Sequence, residues 1–186
     1  YRLSRYHRDP FGSKVLTAEV GSSKYPAGRK VSLKVISGHR DSQLTACPGG
    51  NLYKRIPTIR TWTAAEMGSS LIEPTVSTRS VPMGADVDVA VKSRVTQQQS
   101  WTLTVREFCS GRVVRRITGS AGPANPIGTV WRGRDDAGNR VPAGRYRLTL
   151  TSSGDGTSAW PFQTSVLVGV GGRAAAPTRT SLPAPA

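Results

Sequence analysis

Between about residue 75 and residue 168 the apolar residues of this chain recur at every second position, and no stretch among them keeps helical spacing. The runs fall near 75–80, 86–93, 101–108, 112–118, 127–131, 144–151 and 160–168, cut apart by Gly, Pro, Asn and Ser clusters. A period of two sends neighbouring side chains to opposite faces of a strand. In the segment around Tyr146, Leu148 and Leu150, one face therefore packs while Arg145, Arg147 and Thr149 meet water. Seven short strands with turn signals between them leave one economical solution, an all-β sandwich.

The first 68 residues read differently. A helix is expected over the first eight residues, stopped at Asp9-Pro10-Phe11-Gly12 because Pro10 disfavours helix at Asp9. Strands are expected over 14–20 and 30–36, the second with Val31, Leu33 and Val35 on one side. A loop from His39 to Gly49 follows, then a helical turn or two at 51–55. Pro57 suits the first position of a separate helix reaching about Met67. Ile56, Ile59, Trp62 and Ala65 or Glu66 would give that helix one apolar face. The expected organisation is an α/β portion at 1–68, a linker at 69–74, the sandwich at 75–168 and a disordered tail at 169–186. The chain starts at Tyr1 and its first methionine is Met67, so it reads as the C-terminal piece of something longer.

Charge narrows the partners. There are 26 basic residues against 11 acidic, a formal net charge of +15. Nucleic acid, an anionic membrane and an anionic cell wall compete for such a surface. Nucleic-acid binders gather their charge into a stripe or a basic tract with aromatics beside it. Here the arginines are spread over both halves, and Val113-Val114-Arg115-Arg116 and Arg132-Gly133-Arg134 are the densest spots. The expectation is an anionic envelope and no nucleic acid. No stretch approaches the roughly 18 apolar residues of a membrane span, so none is expected. Two cysteines permit at most one disulfide. Cys47 reads as a candidate metal ligand and Cys109 as a small buried hydrophobe.

The loop Ser37-Gly38-His39-Arg40-Asp41 to Thr45-Ala46-Cys47-Pro48-Gly49 carries the chemistry. Imidazole nitrogen and thiolate sulfur are the donors zinc prefers, and a glycine-punctuated loop can aim both at one centre. Two donors alone make a weak zinc signature. The whole stretch from Val35 through Asn51-Leu52-Tyr53 and Ile56-Pro57-Thr58-Ile59-Arg60 closely resembles the C-terminal part of bacterial peptidoglycan recognition domains, the zinc N-acetylmuramoyl-L-alanine amidases. That resemblance implies His39 as the second zinc histidine and Cys47 as the zinc cysteine. It implies Thr45, two before the cysteine, as the residue facing the reacting carbonyl. The first zinc histidine of the family lies on a strand upstream of Tyr1. His7 matches a helix histidine that relatives do not use as a ligand, and the family's proton-handling tyrosine or glutamate has no counterpart here. The implied protein is a secreted, wall-associated peptidoglycan hydrolase that splits the muramoyl–L-alanine amide with zinc-activated water. The present chain alone is expected to be inactive.

A second resemblance lies further on. Val130-Trp131-Arg132-Gly133-Arg134-Asp135-Asp136-Ala137-Gly138-Asn139-Arg140-Val141-Pro142-Ala143-Gly144-Arg145-Tyr146 resembles the signature of FlgD-type immunoglobulin-like domains, over about 75–168. Asp135, Asp136, Gly138 and Asn139 suit a tight hairpin turn, and Trp131 and Tyr146 are expected to pack together across strands. Such domains serve as spacers or wall-association modules. The competing reading is therefore a non-catalytic cell-wall-binding or structural module.

Overall fold

The computed structural model describes residues 2–170, and the tail expected over 169–186 lies outside them from residue 171 on. A short helix α1 (Arg2–Arg5) leads into the antiparallel hairpin β1 (Ser13–Thr17) and β2 (Lys30–Lys34). A 3-10 turn at His39–Asp41 and helix α2 (Gly50–Glu66) complete the first part. Nine strands follow: β3 (Leu71–Val76), β4 (Ser80–Pro82), β5 (Val89–Val95), β6 (Gln99–Glu107), β7 (Val113–Ala121), β8 (Ile127–Trp131), β9 (Gly144–Gly154), β10 (Thr157–Ser158) and β11 (Phe162–Val170).

Two sheets face each other. One has the order β4-β11-β9-β6-β7, with β10 pairing β9, and the other has the order β3-β5-β8. All pairs are antiparallel except β4 with β11. The alternation in the sequence produces the core directly. Val89 and Val91 from β5 meet Leu103 and Val105 from β6 and Tyr146, Leu148 and Leu150 from β9, and none of the seven exceeds 1% exposure. Trp131 closes one end of this core, with its ring centroid 5.2 Å from that of Tyr146.

Four details differ from the sequence expectation. The stretch 69–74 contains the start of β3, where Leu71 and Ile72 are buried and Leu71 pairs with Val95. The register slips between Ile72 and Thr75, and Glu73 sits at φ 48°, so the bulge interrupts the alternation that would have exposed the strand in the sequence. Helix α2 runs unbroken through Pro57. A proline removes one intrahelical bond, and Pro57 stands on the exposed side, where the freed carbonyl costs least. The apolar face expected on that helix is mostly uncovered, since Ile56 is buried but Trp62 is 58% exposed. Cys109 is exposed because it sits in the turn between β6 and β7, beyond the core.

The first part is tied to the sandwich through β3 and β5. Arg94 pairs with Asp9 at 2.8 Å and with Glu73 at 3.0 Å, and these two carboxylates raise its pKa further. His7 Nδ1 lies 3.3 Å from the Leu71 carbonyl oxygen, and the Glu73 N–H donates to the His7 carbonyl. Burial lowers the His7 pKa, while carbonyls of Leu71 and Pro161 oppose that shift. His7 therefore holds the seam between the two parts.

Candidate functional site

The loop 37–49 is built on five interactions that define its shape. The Arg40 N–H donates to the Cys47 carbonyl at 3.0 Å, drawing the two ends of the His39–Cys47 stretch together. Asp41 accepts from the Gly38 N–H at 2.8 Å and from the Tyr53 hydroxyl of α2. The Arg40 guanidinium lies 4.5 Å from the Tyr53 ring centroid and donates to the Ala46 carbonyl at 2.7 Å. Outside the loop, Arg60 of α2 donates twice to the Ile36 carbonyl, fixing the loop's entry.

Glycine is required at position 38 for space. A Cβ there would stand 2.8 Å from the Tyr53 ring and 3.1 Å from Pro48. The Asp41 carboxyl titrates below its usual range. Burial alone would raise it, but the Tyr53 hydroxyl, the Gly38 N–H and the charges of Lys24 and Arg60 outweigh that effect. The same bond raises the Tyr53 hydroxyl, because ionising it would forfeit its donation to Asp41.

On this frame His39, Thr45 and Cys47 are all exposed. The Cys47 N–H donates to Thr45 Oγ1 at 3.2 Å. That bond uses Thr45 as an acceptor and leaves its hydroxyl proton free to donate outward. The donor types at His39 and Cys47 suit zinc, but no group of three or more metal-ligating His, Cys, Asp or Glu residues forms among the described residues. His7 is committed to the seam at Leu71 and Phe162. The sequence reading named the three exposed residues and missed their support from Asp41, Tyr53, Arg40 and Arg60. A usable signal was present: Asp41 stands three residues after Gly38, the spacing at which a carboxylate reaches back to the N–H at the head of a helical turn, and the structure makes that bond.

At the other end of the chain, the hairpin turn has the geometry its residues suit. The Asp135 carbonyl accepts from the Gly138 N–H, the Asp135 carboxylate accepts from the Asn139 N–H at 2.8 Å, and Gly138 takes φ 87°. The Trp131 indole N–H donates to the Arg134 carbonyl at 3.1 Å, and the Tyr146 hydroxyl donates to Pro142 at 2.7 Å. The motif residues thus pin their own loop onto the core.

Residues 79–156 match the family model of the FlgD Ig-like domain, so the sandwich carries a domain of this type. No curated protein matches the chain. Among solved structures, the chain is similar to dimeric latent PorU from Porphyromonas gingivalis, at 13% identity and a TM-score of 0.41. That similarity covers 51% of this chain and 9% of PorU. It is too loose to carry an argument about the fold or the function.

Proposed function

We propose that the chain is the C-terminal portion of a secreted, zinc-dependent N-acetylmuramoyl-L-alanine amidase acting on peptidoglycan, with an FlgD-type Ig-like domain behind it. The observation that carries this reading is the loop in which the Arg40 N–H donates to the Cys47 carbonyl, with His39, Thr45 and Cys47 each exposed. In this reading His39 and Cys47 hold the ion together with a histidine from polypeptide outside the present chain. Zinc bound there would supply a Lewis acid and a water of lowered pKa for amide hydrolysis. Thr45 would donate a hydrogen bond from its hydroxyl to the carbonyl oxygen as negative charge develops there, a contribution of roughly 2.7–4 kcal/mol per oxyanion donor. Asp41 and Tyr53 act by positioning, because they fix the loop that carries all three groups.

The exposed apolar residues of the first part also support this reading. Val15 and Leu16 on β1, Leu52 and Trp62 on α2, and Leu44 in the loop are each 48% to 73% exposed. In this reading a further element of the fold covers these side chains. In the full-length protein, Thr45→Ala should retain zinc and lose turnover, whereas His39→Ala and Cys47→Ala should lose both. Metal content and release of free L-alanine amino termini from purified peptidoglycan are the readouts. Zinc content unchanged by Cys47→Ala would remove Cys47 from the site. The second reading, a non-catalytic wall-binding module, rests on the sandwich and is favoured if the full-length protein holds no zinc.

A further inference from the structure

The outward face of the large sheet carries rows of hydroxyls edged by arginines. Thr102-Leu103-Thr104 on β6 lies against Thr149-Leu150-Thr151 on β9, with Thr102 opposite Thr151 and Thr104 opposite Thr149. The two leucines point into the core at 0% exposure, so the four threonines point outward. On the far side of β6, Thr118 of β7 extends one row and Arg116 the next. No hydrogen bond engages the hydroxyls of Thr102, Thr104 or Thr149 among the described residues.

The next row is cationic. Arg106 stands opposite Arg147, and Arg145 follows on β9. Phe108 continues this face, and the guanidiniums of Arg145 and Arg147 each lie 4.9 Å from its ring centroid. A ring flanked by two guanidiniums holds both in place, so less conformational entropy is lost when they meet an anion. No Asp or Glu occupies an outward position on these three strands. The carboxylates at the border are engaged elsewhere, Glu107 with Arg112 at 3.8 Å and Asp136 with Arg115 at 3.6 Å.

We propose that this face binds an extended polysaccharide carrying carboxylates, with its sugar hydroxyls on the threonine rows and its carboxylates on Arg106, Arg145 and Arg147. A planar guanidinium fork matches a carboxylate in two-point contact, and the hydroxyls of Thr102, Thr104 and Thr149, left unbonded beside Thr151, which donates to the Thr102 carbonyl, match a polymer of hydroxyls. A peptide would add to a sheet edge and not lie across its face. Single-stranded nucleic acid needs free aromatic platforms for its bases, and the one aromatic ring here already carries two guanidiniums. The proposal deepens the wall-associated reading but does not use the zinc loop, so the two fail separately.

The test uses the 186-residue chain and immobilised polygalacturonate at fixed ionic strength. Binding should weaken roughly tenfold or more in the double variant Arg145→Gln with Arg147→Gln, from loss of two charge-assisted contacts. Thr104→Val with Thr149→Val, which leaves the charge unchanged, should weaken it several-fold. Arg29→Gln with Arg132→Gln removes the same charge elsewhere and should change it by no more than about twofold, as a diffuse field effect. Neutral dextran should not bind. Equal losses from the two arginine pairs would overturn the proposal. So would polyglutamate or single-stranded DNA binding as tightly as polygalacturonate, because charge alone would then explain the affinity.

Discussion

Replacing Trp131 with alanine should remove a large part of the sandwich's stability. The indole is 1% exposed, packs 5.2 Å from the Tyr146 ring, and donates its N–H to the Arg134 carbonyl. A buried aromatic side chain removes about 150–250 Å² from water, worth about 4–6 kcal/mol at about 25 cal/mol per Å². Because the unfolded chain already hides part of that area, the observed loss should be about 3–5 kcal/mol, the usual range for such truncations. A domain of this size has about 5–15 kcal/mol in total, so the loss is readable by urea unfolding followed by circular dichroism. The midpoint should fall with little change in slope. Trp131→Phe keeps most of the ring but leaves the Arg134 carbonyl unpaired, and should cost about 1–3 kcal/mol. Combined with Tyr146→Leu in a double-mutant cycle, the two rings should show a coupling of about 0.5–1.5 kcal/mol. A cost under about 1 kcal/mol for Trp131→Ala would refute the claim that this residue anchors the 132–145 loop to the core.

Further outcomes follow from the loop and the seam. Gly38→Ala should push Tyr53 aside and break its bond to Asp41, speeding exchange of the Arg40 amide by roughly 10- to 100-fold if the local cost is about 1–3 kcal/mol. Asp41 has a folded pKa below its unfolded value of 3.8, so its contribution to loop order is present above that value and lost as pH falls through the folded pKa. Exchange of the Gly38 amide should therefore rise on acidification, and Asp41→Asn should remove the pH dependence. His7 has a lowered pKa, so its contribution is present above 6.5 and is lost as pH falls from there through the folded pKa. His7→Gln should flatten that part of the stability profile between pH 7 and pH 5, as followed by thermal unfolding across pH. A chain shortened to begin at residue 77 should be several kcal/mol less stable than one beginning at Gly68, because it loses the buried Leu71 and Ile72. Matching midpoints for the two would contradict the place of β3 in the core.

The sandwich was legible because its information is local. Leu103, Val105, Leu148 and Leu150 alternate with polar residues, and each strand reports its own inward face. The turn residues Asp135, Gly138 and Asn139 likewise act within their own hairpin. Strand β3 was hidden because a bulge and Pro74 break the alternation, and its burial depends on Val95 some twenty residues away. Helix α2 shows the opposite limit. Pro57 is a strong local stop signal, yet the exposed side of a helix tolerates the one bond it removes. The exposed loop residues could be named from their chemistry, whereas the Asp41–Tyr53 bond joins positions on different elements that no periodicity links. Cys109 was misplaced for a related reason: a strand-like run continued on paper past the point where the chain turns.

The most direct test of the zinc amidase reading is cobalt substitution of the full-length protein, followed by absorption spectroscopy. Thiolate bonded to cobalt gives a charge-transfer band that nitrogen and oxygen donors do not give. That band should appear in the wild-type protein, vanish in Cys47→Ser, and persist in Thr45→Ala together with reduced amide cleavage. A cobalt-loaded protein whose spectrum is unchanged by Cys47→Ser would contradict the assignment of this loop as the metal centre.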